Sequence, residues 1–119
     1  MAKFRFQDLE IWRLSIHIAD QLFDIADTIE QNKLYRFSEQ LRGAGMSMSN
    51  NIAEGSGSSS KKEFCQFLNI ARRSTFENAN ILIVLEKRKL IDIKTLDALL
   101  ESLDEICRKI SSFQKSLFR

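Results

Sequence analysis

A chain of 119 residues has the size of one domain built around one hydrophobic core. Its 44% apolar and 29% charged residues exclude a disordered polymer, and no proline with only four glycines leaves too few turn formers for a β-sandwich or barrel. The formal charge is only +2, from 18 cationic and 16 acidic side chains, so the distribution of charge carries more information than its total.

Between Leu9 and Ile29 the apolar residues fall on two adjacent stripes of three-and-four spacing. One holds Leu9, Trp12, Ile16, Ala19, Phe23 and Ala26, the other Ile11, Ile18, Leu22, Ile25 and Ile29. This predicts an amphipathic helix over about 8–31 with one wide buried face, Asp8 as its N-cap and Glu10, Arg13, His17, Asp24 and Asp27 opposite. The segment is acidic, with Asp8, Glu10, Asp20, Asp24, Asp27 and Glu30 against Arg13 alone.

After a break at Gln31 to Lys33, a second helix is expected over about 36–54, although its middle reads Gly43, Ala44, Gly45, Met46, Ser47, Met48, Ser49. A glycine inside a helix costs about 1 kcal/mol relative to alanine, so close approach of a neighbouring backbone is the simplest reason for two of them. A flexible loop is the rival reading, weakened by the helical spacing of Gln40, Leu41, Met48, Ile52 and Ala53. Gly55 to Ser59 then form a low-complexity turn, with Gly55 expected as the left-handed residue that stops the helix.

Ser60 and Glu63 stand in the capping-box arrangement and open a third helix over about 61–89, on the order of 43 Å long at about 1.5 Å per residue. Its stripe is Phe64, Phe67, Leu68, Ala71, Thr75, Asn78, Leu82 and Leu85. Leu90 and Ile91 make a short connection and Asp92 caps a fourth helix over about 93–117, marked by Leu96, Leu99, Leu103, Ile106, Ile110 and Leu117. Short connections force sequential helices to pack antiparallel. The expectation is therefore an all-α single domain over 1–119, an up-down-up-down antiparallel four-helix bundle. Two of the apolar faces are broader than a lone bundle covers, which implies a further partner surface.

The chemistry-bearing residues are sparse. The longest apolar run, Ile81 to Leu85, is far too short to span a bilayer, and no signal-peptide core precedes the first charges, so a cytoplasmic protein is expected. Cys65 and Cys107 are isolated, as free thiols in a reducing compartment are. His17 is the only histidine and lacks the Glu at three-residue spacing that di-iron bundles use; nor does any spacing bring it to a cysteine for nucleophilic catalysis. Gly55 to Lys62 lacks the order of a phosphate-binding loop and follows no strand. No catalytic residue, metal site or cofactor is expected.

Two constellations remain. Cations cluster at Lys61 and Lys62, at Arg72 and Arg73, and over Lys87, Arg88 and Lys89, with Arg108, Lys109, Lys115 and Arg119 near the end; these either join into a basic surface or are separate solvated faces. Ser47, Asn50, Asn51 and Glu54 form polar four-residue pairs on the small-residue helix, which more often bond a neighbouring helix than a ligand.

Gln40, Leu41, Arg42, Ala44, Ser47, Asn51, Ile52, Ala53, Glu54 and Gly55 resemble a signature of a bacterial four-helix-bundle family. That signature reads Gln-Leu-Arg-Arg-Ala followed by Ser-Ile-Pro-x-Asn-Ile-Ala-Glu-Gly, and the family is encoded in intervening sequences of 23S ribosomal RNA genes. The accessory variability protein of diversity-generating retroelements is a related member. Phe6, Asp8, Leu9 and Trp12 resemble the family's opening, and Lys62, Glu63, Phe64, Phe67, Leu68, Ala71, Ser74 and Glu77 its third helix. Gly43 replaces a second arginine, Ser49 a proline, and Ser58 a frequent basic residue, which removes two cations and a constraint on the second helix. The resemblance implies a ring-shaped homopentamer, nucleic-acid binding through basic surfaces and no enzymatic activity.

The leading expectation is thus a non-enzymatic oligomer that binds structured RNA or duplex DNA. Its phosphate contacts would be Arg42, Lys61, Lys62, Arg72, Arg73, Lys87, Arg88 and Lys89. Duplex or structured ligands are favoured because few aromatics are expected at the surface for base stacking. The motif residues Gln40, Ser47, Asn51, Glu54 and Gly55 are expected to be structural. The alternative is an adaptor that presents the acidic first helix or the basic tail to a protein partner.

Overall fold

The wide apolar face between Leu9 and Ile29 does fold as a helix, and it sets the frame for the rest. The structure, a computed structural model, describes residues 1–119. A 3-10 turn over Arg5–Asp8 is followed by α1 (Glu10–Gln31), α2 (Tyr35–Ser56), α3 (Lys61–Lys87) and α4 (Ile93–Ser116). Each helix packs on its neighbours in sequence, α1 also meets α4, and the backbones of the diagonal pairs α1 and α3, and α2 and α4, stay apart across the shared core. This is the square of an up-down-up-down four-helix bundle.

The core consists of one large apolar residue after another from every helix, among them Leu22 and Ile29 of α1, Leu41, Met48 and Ile52 of α2, Leu68, Leu82 and Leu85 of α3, and Ile106 and Ile110 of α4. Around it α2 contributes small residues: Ser38, Ala44, Gly45, Ser49, Gly55 and Ser56 are all buried. A Cβ on Gly45 would touch Leu22 and Phe23 at 3.4 Å, so α1 lies close against α2 there. Gly43 has open space where its side chain would be, and close approach does not explain it.

Polar groups stitch adjacent helices at the same places. Ser38 donates to the Ala26 carbonyl at 3.1 Å, Asn78 to the Ala44 carbonyl at 2.8 Å, and Gln114 to the Cys65 carbonyl at 3.1 Å. Such bonds fix the helices in register, although Asn78 bonds only through its Nδ2 and its buried Oδ1 has no partner within the chain.

Several helix ends differ from expectation. Asp8 does not cap α1; it lies in the 3-10 turn, where Lys3 at 2.7 Å and Arg13 at 3.4 Å hold it, and Leu9 occupies the cap position. Gly55 is not a left-handed stop. It is helical and buried, because α3 presses Phe64 and Phe67 onto it, and α2 continues to Ser56. The left-handed residues are instead Lys33 and Lys89, with φ of 66° and 62°.

Both lysines sit in the same motif. Leu34 N–H bonds the Ile29 carbonyl at 3.1 Å and Lys33 N–H the Glu30 carbonyl at 2.8 Å; Leu90 to Leu85 at 2.9 Å and Lys89 to Glu86 at 2.8 Å repeat it. These are Schellman caps with a leucine folded back as the hydrophobic contact, and they end α1 and α3. The starts of α3 and α4 are capped as expected, Ser60 Oγ accepting from Glu63 N–H at 3.1 Å and Asp92 Oδ1 from Thr95 N–H at 2.7 Å, but the Glu63 side chain does not return a bond to Ser60 N–H, so the capping box is only half formed. In place of the proline, buried Ser49 donates to the Met46 carbonyl, and α2 runs through uninterrupted.

Candidate nucleic-acid interface

The length and phase of α3 decide where the cations go. From Lys62 to Arg73 and from Arg73 to Lys87 the spacing is close to three and four full turns of about 3.6 residues, so the three fall on one stripe. At about 1.5 Å per residue they stand roughly 16 and 21 Å apart along the helix. All three are exposed, as are Gln66, Asn69 and Asn80 on the same side. Lys61 and Arg72 form a second pair one step round the helix, toward α4.

The ion pairs of the molecule lie elsewhere. Asp8 takes Lys3 and Arg13, Asp104 takes Arg108, and Glu10 takes Lys109, which Glu105 also approaches. No carboxylate pairs with Lys61, Lys62, Arg72, Arg73, Lys87, Arg88 or Lys89. Arg72 is fixed differently: its Nε donates to Ser111 Oγ of α4 at 3.1 Å and its guanidinium lies 5.8 Å from the centre of the Phe76 ring.

Arg42 is a different case. It reaches Asp27 at 2.6 Å and Glu30 at 3.1 Å and also donates to Ser38 Oγ, all across the α1–α2 seam. Hydrogen bonding by Asp27, then by Glu30, pushes its pKa further above the usual arginine value. Its charge is engaged within the fold, which separates it from the α3 cations.

The cationic clusters do not merge into one patch. Helices α1 and α3 run the same way, so Lys33 joins Lys87, Arg88 and Lys89 at one end of the bundle, together with Arg36 at the start of α2 and Lys94 at the start of α4. Lys33 and Lys87 stand at the C-terminal carbonyls of α1 and α3, which favour a cation, whereas Arg36 and Lys94 stand at the N-termini of α2 and α4, which do not. Lys61, Lys62, Lys115 and Arg119 gather at the other end. The outward stripe of α3 connects the two ends and carries Glu77 as its acid. Lys33, Arg36 and Lys94 escape a sequence reading because only the bundle topology brings them to α3.

The motif residues divide. Ser47 Oγ meets Ser74 Oγ of α3 at 2.8 Å, Asn51 donates back to the Ser47 carbonyl at 2.8 Å, and Gly55 lies beneath Phe64. Those three are structural. Gln40 and Glu54 are exposed and bond nothing within the chain, on an outer α2 ridge with Gly43 and Asn50. A shallow apolar recess between α1 and α2 is lined by Ile16, Phe23 and Met46 beside His17. Ile16 and Met46 are exposed there.

The premise that few aromatics reach the surface is overturned. Phe4, Tyr35, Phe76 and Phe118 are 67%, 56%, 61% and 62% exposed. Cys65 and Cys107 are half-buried, unpaired thiols. No three His, Cys, Asp or Glu side chains converge as metal ligands, and no helix is long and apolar enough to cross a membrane.

A crystal structure of a protein of unknown function from the S23 ribosomal protein family of Bacteroides thetaiotaomicron superposes with a TM-score of 0.83 at 23% identity, covering 88% of this chain and 98% of that one. It shares the fold. None of the curated proteins is similar in sequence to this chain. The family model of the 23S rRNA-intervening sequence protein matches residues 7–112, which spans all but the last turn of the bundle, and the chain belongs to that family.

Proposed function

We propose that the protein is a non-enzymatic, oligomeric nucleic-acid-binding protein of the cytoplasm, whose α3 stripe contacts phosphates. One observation carries this reading: Lys62, Arg73 and Lys87 lie in line, exposed, without a carboxylate partner. Unpaired cations in such a line gain the release of counterions when they meet a polyanion, and the interaction is largely independent of sequence. Lys61, Arg72, Arg88 and Lys89 extend the line at its ends and toward α4. The family's name records a place in 23S rRNA genes and names no ligand; structured RNA and duplex DNA are both probes because each presents the phosphates that such a stripe would meet. Self-association, in the homopentamer that the family resemblance implies, would multiply the stripe and raise avidity.

The test is fluorescence anisotropy with nuclease-treated protein at low and near-physiological salt. Apparent affinity should fall steeply with salt and should fall again when Lys62, Arg73 and Lys87 are changed to glutamate. These exposed positions make cleaner probes than Arg72, whose loss also frees Ser111. No binding to either probe at low salt sinks the reading.

The exposed and unpaired Asp20 and Asp24 of α1 favour a second reading, an adaptor for a basic protein partner. A protein that co-purifies through nuclease treatment and is released by Asp20→Lys with Asp24→Lys would support it.

A further inference from the structure

The groove between α3 and α4 places exposed rings and an immobilised cation in one row. Phe76 stands at one position of the groove, beside Ala79 of α3 and Leu100 and Cys107 of α4. Phe118 stands at another, beside Cys65, Gln114 and Lys115. Between them lies Arg72, held by Ser111 below and by the Phe76 ring at its flank. Asp104, the acid that lines the groove beside Phe76, is already paired with Arg108 at 2.9 Å.

The spacing is informative. Phe76 is one turn past Arg72 on α3, and Phe118 lies seven residues past Ser111, just beyond the end of α4 at Ser116, on a segment that runs the opposite way. Their backbone positions are thus roughly 16 Å apart along the groove at about 1.5 Å per residue. That is more than four stacked-base rises of about 3.4 Å, so the rings address separate bases rather than neighbours in one stack. Between those bases a backbone would pass Arg72 and Lys115. Rings in alternation with cations form the platform that unpaired nucleotides use, and a duplex cannot offer its base faces to it because they are stacked on one another.

We propose that the α3–α4 groove binds unpaired nucleotides, so that the ligand is a nucleic acid with a single-stranded segment adjoining the part that follows the α3 stripe. This rests on the nucleic-acid reading above and narrows its ligand class. The rings of Phe76 and Phe118 each take a base, Arg72 and Lys115 take the phosphates between, and Lys61, Lys62 and Arg119 lead the strand away at the end of the bundle.

The experiment uses the full chain and three probes: a single-stranded RNA carrying 2-aminopurine, the same strand in a blunt duplex, and that duplex with a single-stranded overhang. Anisotropy reads affinity, 2-aminopurine fluorescence reads stacking, and light scattering reads the oligomer. The expected result is tighter binding of the single-stranded and overhang probes with quenching of 2-aminopurine. Phe76→Ala and Phe118→Ala should each weaken those two probes by about fivefold to a hundredfold and change the blunt duplex, which meets the Lys62, Arg73 and Lys87 stripe, by much less. Both rings are more than half exposed, so the variants retain the core.

Equal affinity for all probes, unaffected by either substitution, overturns the groove while leaving the basic stripe in place. A change in oligomer mass with either substitution means that a second copy of the chain covers the rings, and this also overturns it. Failure of every probe to bind at low salt removes the broader reading as well.

Discussion

Arg42 Nη2 stands 2.6 Å from Asp27 Oδ1, so the motif arginine of α2 is a clamp on α1 and not a free phosphate contact. Arg42→Ala should lower the melting temperature and leave nucleic-acid affinity unchanged, whereas Arg73→Glu should do the reverse. Thermal melting followed by circular dichroism, with anisotropy on the same samples, separates the two. A loss of binding in Arg42→Ala at full folding would return Arg42 to the interface.

The two helical glycines tested by geometry should respond with opposite signs. A Cβ on Gly55 would lie 2.8 Å from Phe64 and from Phe67, so Gly55→Ala must push α3 off α2 and should cost about 1–3 kcal/mol in urea unfolding. Gly43 has open space, and Gly43→Ala should gain about 0.5–1 kcal/mol from helix propensity alone. If both variants destabilise, Gly43 has a contact that the isolated bundle does not contain, as a face between copies would supply.

Lys89 holds a left-handed backbone that glycine would adopt without strain. Lys89→Gly should therefore raise stability by about 0.5–1 kcal/mol and at the same time reduce binding and its salt dependence. Lys33→Gly should show the same gain in stability. A lysine kept in a strained position is explained by its charge if these signs are opposed, and by nothing if binding is untouched.

Acid should weaken the fold through Asp92 and Asp8. The Thr95 backbone N–H, first among the causes, holds the Asp92 carboxyl below its ordinary value of 3.8, and a hydrogen bond from Lys3 does the same for Asp8. Both depressions mean that the folded state prefers the carboxylate. Their contribution is complete above about pH 5, beyond the ordinary value of 3.8, and is lost as pH falls through the lowered folded values. Asp92→Asn keeps a cap but should flatten that acid limb in pH-dependent unfolding. Added salt should reduce the Asp8 part through screening of Lys3 more than the Asp92 part, which depends on a backbone N–H.

The four helices were legible because their apolar residues repeat at helical spacing over five or more turns, and because Ser60 and Asp92 announce two of the starts locally. The end of α2 was not legible. Gly55 after Glu54 looks like a stop by local preference, and only the position of Phe64, contributed by the next helix, makes it an interior residue. Asp8 similarly precedes an apolar run as a cap should, yet Lys3 and Arg13 hold it in a separate turn. The candidate cations on α3 were nameable from sequence, since their stripe follows from spacing within one helix. Arg42 could not be separated from them, because its partners lie across a turn on α1. Phe76 in α3 and Phe118 just past α4 are not legible as surface residues, because only the packing of α3 on α4 decides that these rings stay outside the core.

The square of helices is not equally closed on all sides. Helices α1 and α4 share the thinnest contact, and the polar tie across it is the exposed pair of Lys109 and Glu10 at 3.1 Å, while Ser47, Asn78 and Gly55 lock α2 to α3 from within. Amide hydrogen exchange in such a molecule should begin along the α1–α4 edge and reach the α2–α3 hairpin last. That hairpin is then the cooperative unit on which the rest of the fold closes, and the face carrying the cations is its most persistent surface.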